Sequence, residues 1–513
     1  MTHSHASRRE FLRRAGALSL LGTSAAPFAL NLATIGAAAA QSAPSDYKAL
    51  VCLFLFGGND TYNTVLATDA ASWENYRQVR QGGADAIALL APGVAADAAA
   101  AAASPARLGG VLPLNPATAQ AGRSFALHPL LGGMQGLFNT HKRLAVVANV
   151  GPLLAPTTKA QYATSSHPKP PKLYSHNDQQ STWQAFAPEG AKAGWGGRMA
   201  DLLRSGNGSN TLFSSISAYG NAVWLSGEQV EQYQVGSNGA ILLGVDSQRR
   251  LFGSSTVAAS MERIAATARS GNLLEAAYVE TTRRSIEAER ALGSALGSLA
   301  PPFGSAGVTN PQNDPLLQYD SPVTGAKGFN GLAQQLQVVA RMVAAAGSLG
   351  VRRQVFFVGL GGFDTHDFQN RNHADAMARL SHALGYFDTV LSAIGAQDKV
   401  TTFTASDFGR TFTSNGDGTD HGWGGHHFVM GGAVRGGDLY GRFPAYGQST
   451  GKGDFTSPNQ IGSNGALLPE ISVDQYAATM GQWFGLSASQ LLEVLPNLRN
   501  FDASQRNLGF MRA

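Results

Sequence analysis

The sequence predicts an α/β fold: a mostly parallel central sheet covered by helices on both faces. Two observations carry this. Five short apolar runs rich in β-branched and aromatic residues punctuate the chain, at 49–56, 143–150, 354–360, 400–404 and 428–434. Helix-period patterns lie between them: Leu332, Leu336, Val339 and Val343 share one face of 331–346, and Met377, Leu380, Leu384 and Leu391 share one face of 373–394. Strands that are apolar throughout are buried on both faces, and strand–helix alternation supplies the crossovers that parallel pairing needs.

The chain opens with Ser7-Arg8-Arg9-Glu10-Phe11-Leu12, an apolar run at 15–35 and the small residues Ala37 to Ala40. Paired arginines, an apolar stretch and a small-residue cleavage block read as a twin-arginine signal peptide over residues 1–40, leaving residues 41–513 as the working protein. Gly16, Gly22, Pro27 and Asn31 interrupt the apolar run, so no stable membrane span is expected after cleavage. The expected location is periplasmic or secreted, and the twin-arginine export machinery is an expected partner. The first 40 residues hold Arg8, Arg9, Arg13, Arg14 and Glu10. Of the 38 basic and 34 acidic side chains in the whole sequence, the exported chain therefore keeps 34 and 33. No Lys/Arg stripe interleaved with aromatics remains, which argues against nucleic acid. Apolar residues make up 43%, enough to build a core, and 61 glycines imply many loops. The one cysteine, Cys52, lies inside an apolar run and is expected to be a small buried hydrophobe.

Two segments break the strand–helix rhythm. Residues 91–110 form an Ala/Gly loop of low complexity. Residues 257–299 form a charged helical stretch, expected as a helical insertion around 255–300, followed by a Pro/Gly-rich linker at 301–322.

Three apolar runs end in loops that carry acidic or imidazole groups. They are Gly57-Gly58-Asn59-Asp60-Thr61, Gly361-Gly362-Phe363-Asp364-Thr365-His366 and Ala405-Ser406-Asp407-Phe408-Gly409-Arg410. Ligands of open parallel sheets bind at the carboxyl ends of strands, so these loops can converge on one crevice. A fourth segment, Asp420-His421-Gly422-Trp423-Gly424-Gly425-His426-His427, adds three imidazoles within seven residues. Carboxylates with neutral imidazoles are the usual donors to zinc, manganese or iron. Taken singly, Asp60 and Asp407 are better read as helix N-caps; taken jointly, the loops favour a metal or anion site. Ser175, in Tyr174-Ser175-His176-Asn177-Asp178, opens an expected helix as its N-cap or as a nucleophile. The serine-hydrolase-like Gly447-Gln448-Ser449-Thr450-Gly451 lacks the flanking strand and helix of a nucleophile elbow and is read as a loop.

The sequence resembles the bacterial twin-arginine-exported family called domain of unknown function 1501. The residues that carry the resemblance are the signal, Phe56-Gly57-Gly58-Asn59-Asp60, Ser175-His176-Asn177-Asp178-Gln179, Gly362-Phe363-Asp364-Thr365-His366, Asp407-Phe408-Gly409-Arg410 and Asp420-His421-Gly422. That family is similar to the alkaline phosphatase and sulfatase superfamily. The resemblance implies a three-layer α/β/α sandwich, alkaline-phosphatase-like, with one or two divalent ions (zinc, manganese, iron or calcium). It makes Asp60 a first-strand ligand, Ser175 the nucleophile candidate, Asp364 and His366 an Asp/His ligand pair and Asp407 the acidic half of an Asp-His dipeptide. Phe408 stands in that dipeptide's histidine position and cannot ligate. His421 or His426 becomes the last imidazole ligand, with His427 or Asp420 available in support.

The expectation is an exported metal-dependent hydrolase of phosphate or sulfate esters, taking a small anionic ester, in which Arg410 grips a non-bridging oxygen. The rival expectation is a non-catalytic periplasmic binding or assembly protein that keeps the hydrolase fold, and Phe408 is the residue that favours it.

Overall fold

The computed structural model describes residues 46–512 apart from 209, 238, 240, 242–243, 247, 268–271, 298 and 300–301. The signal expected at 1–40 lies outside the described residues. Strands of the main sheet are β1 (Lys48–Leu55), β2 (Leu144–Gly151), β3 (Ser215–Ser217), β4 (Tyr233–Gln234), β5 (Arg353–Leu360), β6 (Val400–Ser406), β7 (Gly425–Met430), β8 (Leu439–Tyr440) and β9 (Ile471–Ser472). Their order is β8-β2-β7-β6-β1-β5-β3-β4, with β9 also pairing β2. The pairings β1·β5, β1·β6, β5·β3, β3·β4, β8·β2 and β9·β2 are parallel. Only β7 runs against its neighbours β6 and β2.

Alternation along β1 builds two cores. Ala49, Val51, Leu53 and Leu55 face one, which holds the apolar sides of α7 (Gly331–Ala344) and α8 (Gln369–Ala393). Leu50, Cys52 and Phe54 face the other, against α4 (Trp195–Leu203) and α9 (Val473–Phe484). Every residue from Ala49 to Leu55 is at most 1% exposed, as the unbroken apolar run requires of a strand covered on both sides. Truncating one, as in Leu53→Ala, costs about 2–5 kcal/mol. The result is the three-layer α/β/α sandwich with a mostly parallel sheet. Within it, Cys52 is a buried hydrophobe, with desolvation pushing its thiol well above the ordinary range.

The local boundaries follow side-chain chemistry. Asn330 starts α7 by accepting from the amides of Leu332 and Ala333. Ser472 and Gln475 form a reciprocal capping box at α9. The charged stretch after residue 255 is two helices, α5 (Ser255–Ala265) and α6 (Leu273–Gly297).

The last apolar run is shifted from its expected 428–434. Its strand starts at Gly425, so His426 and His427 lie inside the sheet, and it stops at Met430 because the chain turns at Gly431. The cause is the connection that precedes it. Loop 407–424 begins where β6 ends and stays at that end of the sheet, so β7 can only run back antiparallel.

Candidate metal centre

Leu55 at the end of β1 is level with Leu360 of β5 on one side and Ser406 of β6 on the other. The three acidic loops thus leave the sheet side by side. Gly57 and Gly58 make the closeness possible. Both have left-handed φ, +113° and +86°. A Cβ on Gly57 would lie 2.3 Å from the Asp364 amide nitrogen, and one on Gly58 would lie 2.4 Å from the Phe408 ring.

Two of the three carboxylates meet. Asp407 is fully buried and accepts three hydrogen bonds: from the Gly57 amide (3.1 Å), from Gln180 Nε2 (2.8 Å) and from His176 Nδ1 (2.7 Å). His176 and Gln180 stand one turn apart on α3 (His176–Ala185), so one helix face serves one carboxylate. The other ring nitrogen of His176 lies 3.4 Å from Asp364 Oδ2. Asp364 Oδ1 accepts from Arg410 (2.7 Å) and lies 3.2 Å from His366 Nε2 and 3.4 Å from His421 Nε2.

The partners of the three imidazoles set their tautomers. His421 Nδ1 faces the Tyr174 carbonyl at 2.7 Å, His366 Nδ1 faces Asp420 at 3.2 Å, and His176 Nδ1 faces Asp407. Carbonyls and carboxylates only accept, so each Nδ1 carries a hydrogen, and whenever the ring is neutral its Nε2 lone pair turns inward. Those lone pairs converge on Asp364. His366 and His421 bring theirs to 2.9 Å from each other. Two lone pairs that close repel unless a proton or a cation lies between them.

Arg410 is fully buried. It holds Asp364, the Gly57 carbonyl, the Thr419 hydroxyl and the Thr419 carbonyl. Burial pushes the Asp364 carboxyl up, but the Arg410 hydrogen bond and charge, with His176 and His366, bring it below the ordinary carboxylate range. The hydrogen bond to Asp407 raises His176 despite partial burial, whereas burial lowers His421. Phe408 packs against the rings of His176 (centroids 4.9 Å) and His421 (4.5 Å), an apolar wall beside the two imidazoles.

Of the sequence candidates, Asp364, His366, Asp407, Arg410, Asp420 and His421 are gathered here. Asp420 and Asp407 contact ring Nδ1 atoms rather than the Nε2 cluster. Asp60 is not among the groups facing the Nε2 atoms and joins Arg410 indirectly, through Gln369 and Thr419. Both its oxygens bind Arg80 (2.6 and 3.0 Å), Gln369 donates to it at 2.5 Å, and it caps the turn at Tyr62. Asp60 and Arg80 are each 0% exposed. His426 is buried in β7, accepts the Asn149 amide at Nδ1 and stacks on Phe443 at 4.3 Å. Ser175 precedes α3, and its hydroxyl donates to Asp178 (2.8 Å). It makes no side-chain cap bond to the helix.

The sequence points to the segment around His176 for its serine, not for its histidine. The usable signal was the spacing of His176 and Gln180, two polar groups one turn apart. Arg80, at the end of α1 (Ala70–Arg80), had no local signal as the partner of Asp60.

The donor set suits a tetrahedral ion. Bonds of about 2.0–2.1 Å place tetrahedral donors roughly 3.3–3.4 Å apart. Here Asp364 Oδ2 stands 3.4 Å from His176 Nε2, while Oδ1 stands 3.2 and 3.4 Å from the Nε2 atoms of His366 and His421, and single donor atoms of His176, Asp364 and His421 lie within 4.8 Å of one another, a group that does not take in His366. The Nε2 of His176 is buried without a hydrogen-bond partner.

The sequence has no match among curated proteins. Among solved structures it is similar to Ps i-CgsB at 8% identity and a TM-score of 0.31, covering 89% of this chain and 77% of that one. The same protein in complex with k-i-k-neocarrahexaose matches at 9% identity, with the same TM-score and coverage. A Bacteroides thetaiotaomicron protein solved in a study of glycosaminoglycan metabolism is similar at 11% identity and a TM-score of 0.28, covering 77% of this chain and 69% of that one. TM-scores this low fix neither fold nor function. The model of the family described as protein of unknown function (DUF1501) matches residues 47–495, and the chain belongs to that family.

Proposed function

We propose that this protein is an exported, metal-dependent hydrolase of phosphate or sulfate esters, with one ion site formed by His176, Asp364, His366 and His421. The observation that carries the reading is the convergence of three Nε2 lone pairs on one carboxylate while every Nδ1 is tied to an acceptor. Such outer partners orient imidazole ligands and raise their basicity. Three nitrogen donors favour zinc or iron over calcium, which takes oxygen ligands.

When bound, a divalent ion there supplies Lewis acidity toward an ester oxygen and lowers the pKa of a coordinated water or hydroxyl. The chain's own groups prepare that site. Arg410 keeps Asp364 anionic, Asp407 and Asp420 hold His176 and His366 in the ligating tautomer, and the Tyr174 carbonyl does the same for His421. Ser175, next to His176 in the chain and half-buried, is the side chain proposed to attack the ester phosphorus or sulfur: its proton passes to Asp178, the P–O or S–O bond to the alcohol breaks, the alcohol leaves with a proton from water, and water then releases the serine. Asp60, the first-strand ligand the resemblance implies, is left out of this ion site because Arg80 already neutralises its carboxylate.

Metal analysis of protein recovered through its native export route tests the reading, with hydrolysis of 4-nitrophenyl phosphate and sulfate assayed alongside. One ion per chain is expected, and His421→Ala should remove it together with any hydrolysis. Metal-free wild type with a melting temperature unaffected by added zinc would overturn the proposal. Export is tested separately: with Arg8→Lys and Arg9→Lys together, unprocessed precursor should stay in the cytoplasm.

A further inference from the structure

A cleft of about 700 Å³ opens beside Asp364, between the first turns of α8 and the hairpin of Gln318–Asp320 and Lys327–Phe329. Asp364 belongs to its wall, so the cleft adjoins the proposed ion site at that carboxylate. Gly361 and Gly362 also line it, and a Cβ on either would meet nothing within 4 Å, so bare backbone keeps the cleft wide.

Most of the remaining wall is polar and already neutralised. Arg379 pairs with Asp375 at 2.7 Å, and the Tyr319 hydroxyl donates to the same carboxylate at 2.6 Å. Lys327 pairs with Asp320 at 2.7 Å. The hydroxyls of Ser321 and Thr324 add further hydrogen-bonding groups to the lining. Arg371 is the exception. It shares the face of α8 that carries Asp375 and Arg379, four and eight residues on, is exposed, and has no acidic partner among the described residues. A wall of hydroxyls and closed ion pairs disfavours an apolar chain, because burying those groups without partners is costly. A free guanidinium on the same wall fits an anion, which it can grip bidentately.

We infer that this cleft receives the alcohol portion of the ester, and that the substrate class is a hydroxylated alcohol carrying a second anionic group bound by Arg371. The inference rests on the ester-hydrolase reading of the ion site and adds the substrate class to it.

The test is calorimetric binding to zinc-supplemented, full-length exported protein. The probes are glucose 6-phosphate, glucose 1,6-bisphosphate, n-octyl phosphate and inorganic phosphate, with the matching sulfates run in parallel. Wild type should bind the doubly anionic sugar at least about tenfold more tightly than the singly anionic one. Octyl esters should bind no better than the inorganic anion. Arg371→Gln should erase the tenfold difference. Gly361→Leu, which fills the cleft at a position without left-handed φ, should weaken both sugar esters to the level of the inorganic anion. The inference is overturned if Arg371→Gln keeps the difference, if octyl esters bind best, or if no sugar ester of either series binds. Zinc stoichiometry on the same samples separates the two failures. One zinc per chain with no Arg371 effect sinks the cleft assignment alone, whereas absence of zinc sinks the hydrolase reading, and the sugar titrations still decide the cleft.

Discussion

Asp407→Asn probes whether this buried carboxylate tunes the ion site without touching the ion. Asp407 accepts from three donors: the Gly57 amide, Gln180 and His176. An asparagine offers one accepting oxygen and one donating NH2. Gln180 and His176 both donate to Oδ2 and the Gly57 amide to Oδ1, so if the asparagine oxygen keeps the fixed amide, the NH2 takes the Oδ2 place, loses Gln180, faces His176 Nδ1 and turns that nitrogen into the acceptor. The ring hydrogen then moves to Nε2, which can no longer ligate. Loss of an outer partner of a ligating histidine costs about 10–100-fold in metal affinity, or about 1.4–2.7 kcal/mol. Asp364→Asn, which alters a direct donor, should lose the ion altogether. The assay is competition against a zinc-binding dye, with circular dichroism confirming that the metal-free variant is folded. A folded Asp407→Asn that binds zinc within threefold of wild type would refute the reasoning and make Asp407 a mere structural acceptor.

Three further outcomes follow from the geometry. Arg80→Met should destabilise the fold by about 3–5 kcal/mol in urea unfolding, because Asp60 is left charged in a fully buried site; adding Asp60→Asn should recover part of that loss. Gly57→Ala should displace Asp364 through a 2.3 Å clash at a left-handed φ, and is expected to lower zinc occupancy in metal analysis; full occupancy would show that the loop can shift. Acid should destabilise the protein. Burial lowers His373 to about 4, His426 and His427 to about 3 and His128 well below the ordinary imidazole range, so below pH 6.5 the unfolded chain takes up four protons that the native state refuses. Asp474 opposes this, since burial raises it to about 7 and the native state holds its proton first. The net uptake by the unfolded chain is about three protons. Stability should therefore fall by roughly 4 kcal/mol per pH unit between about pH 6 and 4.5. Denaturant midpoints that stay level over that range would contradict the balance.

Much of the fold was legible in the sequence, because burial on both faces leaves an unbroken apolar run that survives without tertiary information. β1, β2, β5 and β6 are such runs, and each lies within about two residues of its expected position. The two- and three-residue strands at β3, β4, β8 and β9 had no comparable signal. They are too short for a period and are strands only because a neighbour presents a ladder. The direction of β7 was hidden for a related reason. Parallel pairing was inferred from intervening helices, and loop 407–424 has none.

For the site, the sequence by itself determined the chemistry available: carboxylates and imidazoles at the ends of strands, beside glycines that let backbones touch. Tertiary structure decided which of them share a space. Asp60 and Asp407 looked alike in sequence, each an aspartate just past an apolar run. One is answered by Arg80, twenty residues later in the chain, and the other by His176 and Gln180, more than two hundred residues before it. His421 and His426 were equal candidates for the last imidazole. The antiparallel return of β7 carries His426 into the sheet and leaves His421 in the loop that meets Asp364. A side chain's identity fixes which bonds it can make, but its partner is chosen by distance and by the direction of a lone pair, and those exist only once the chain has folded.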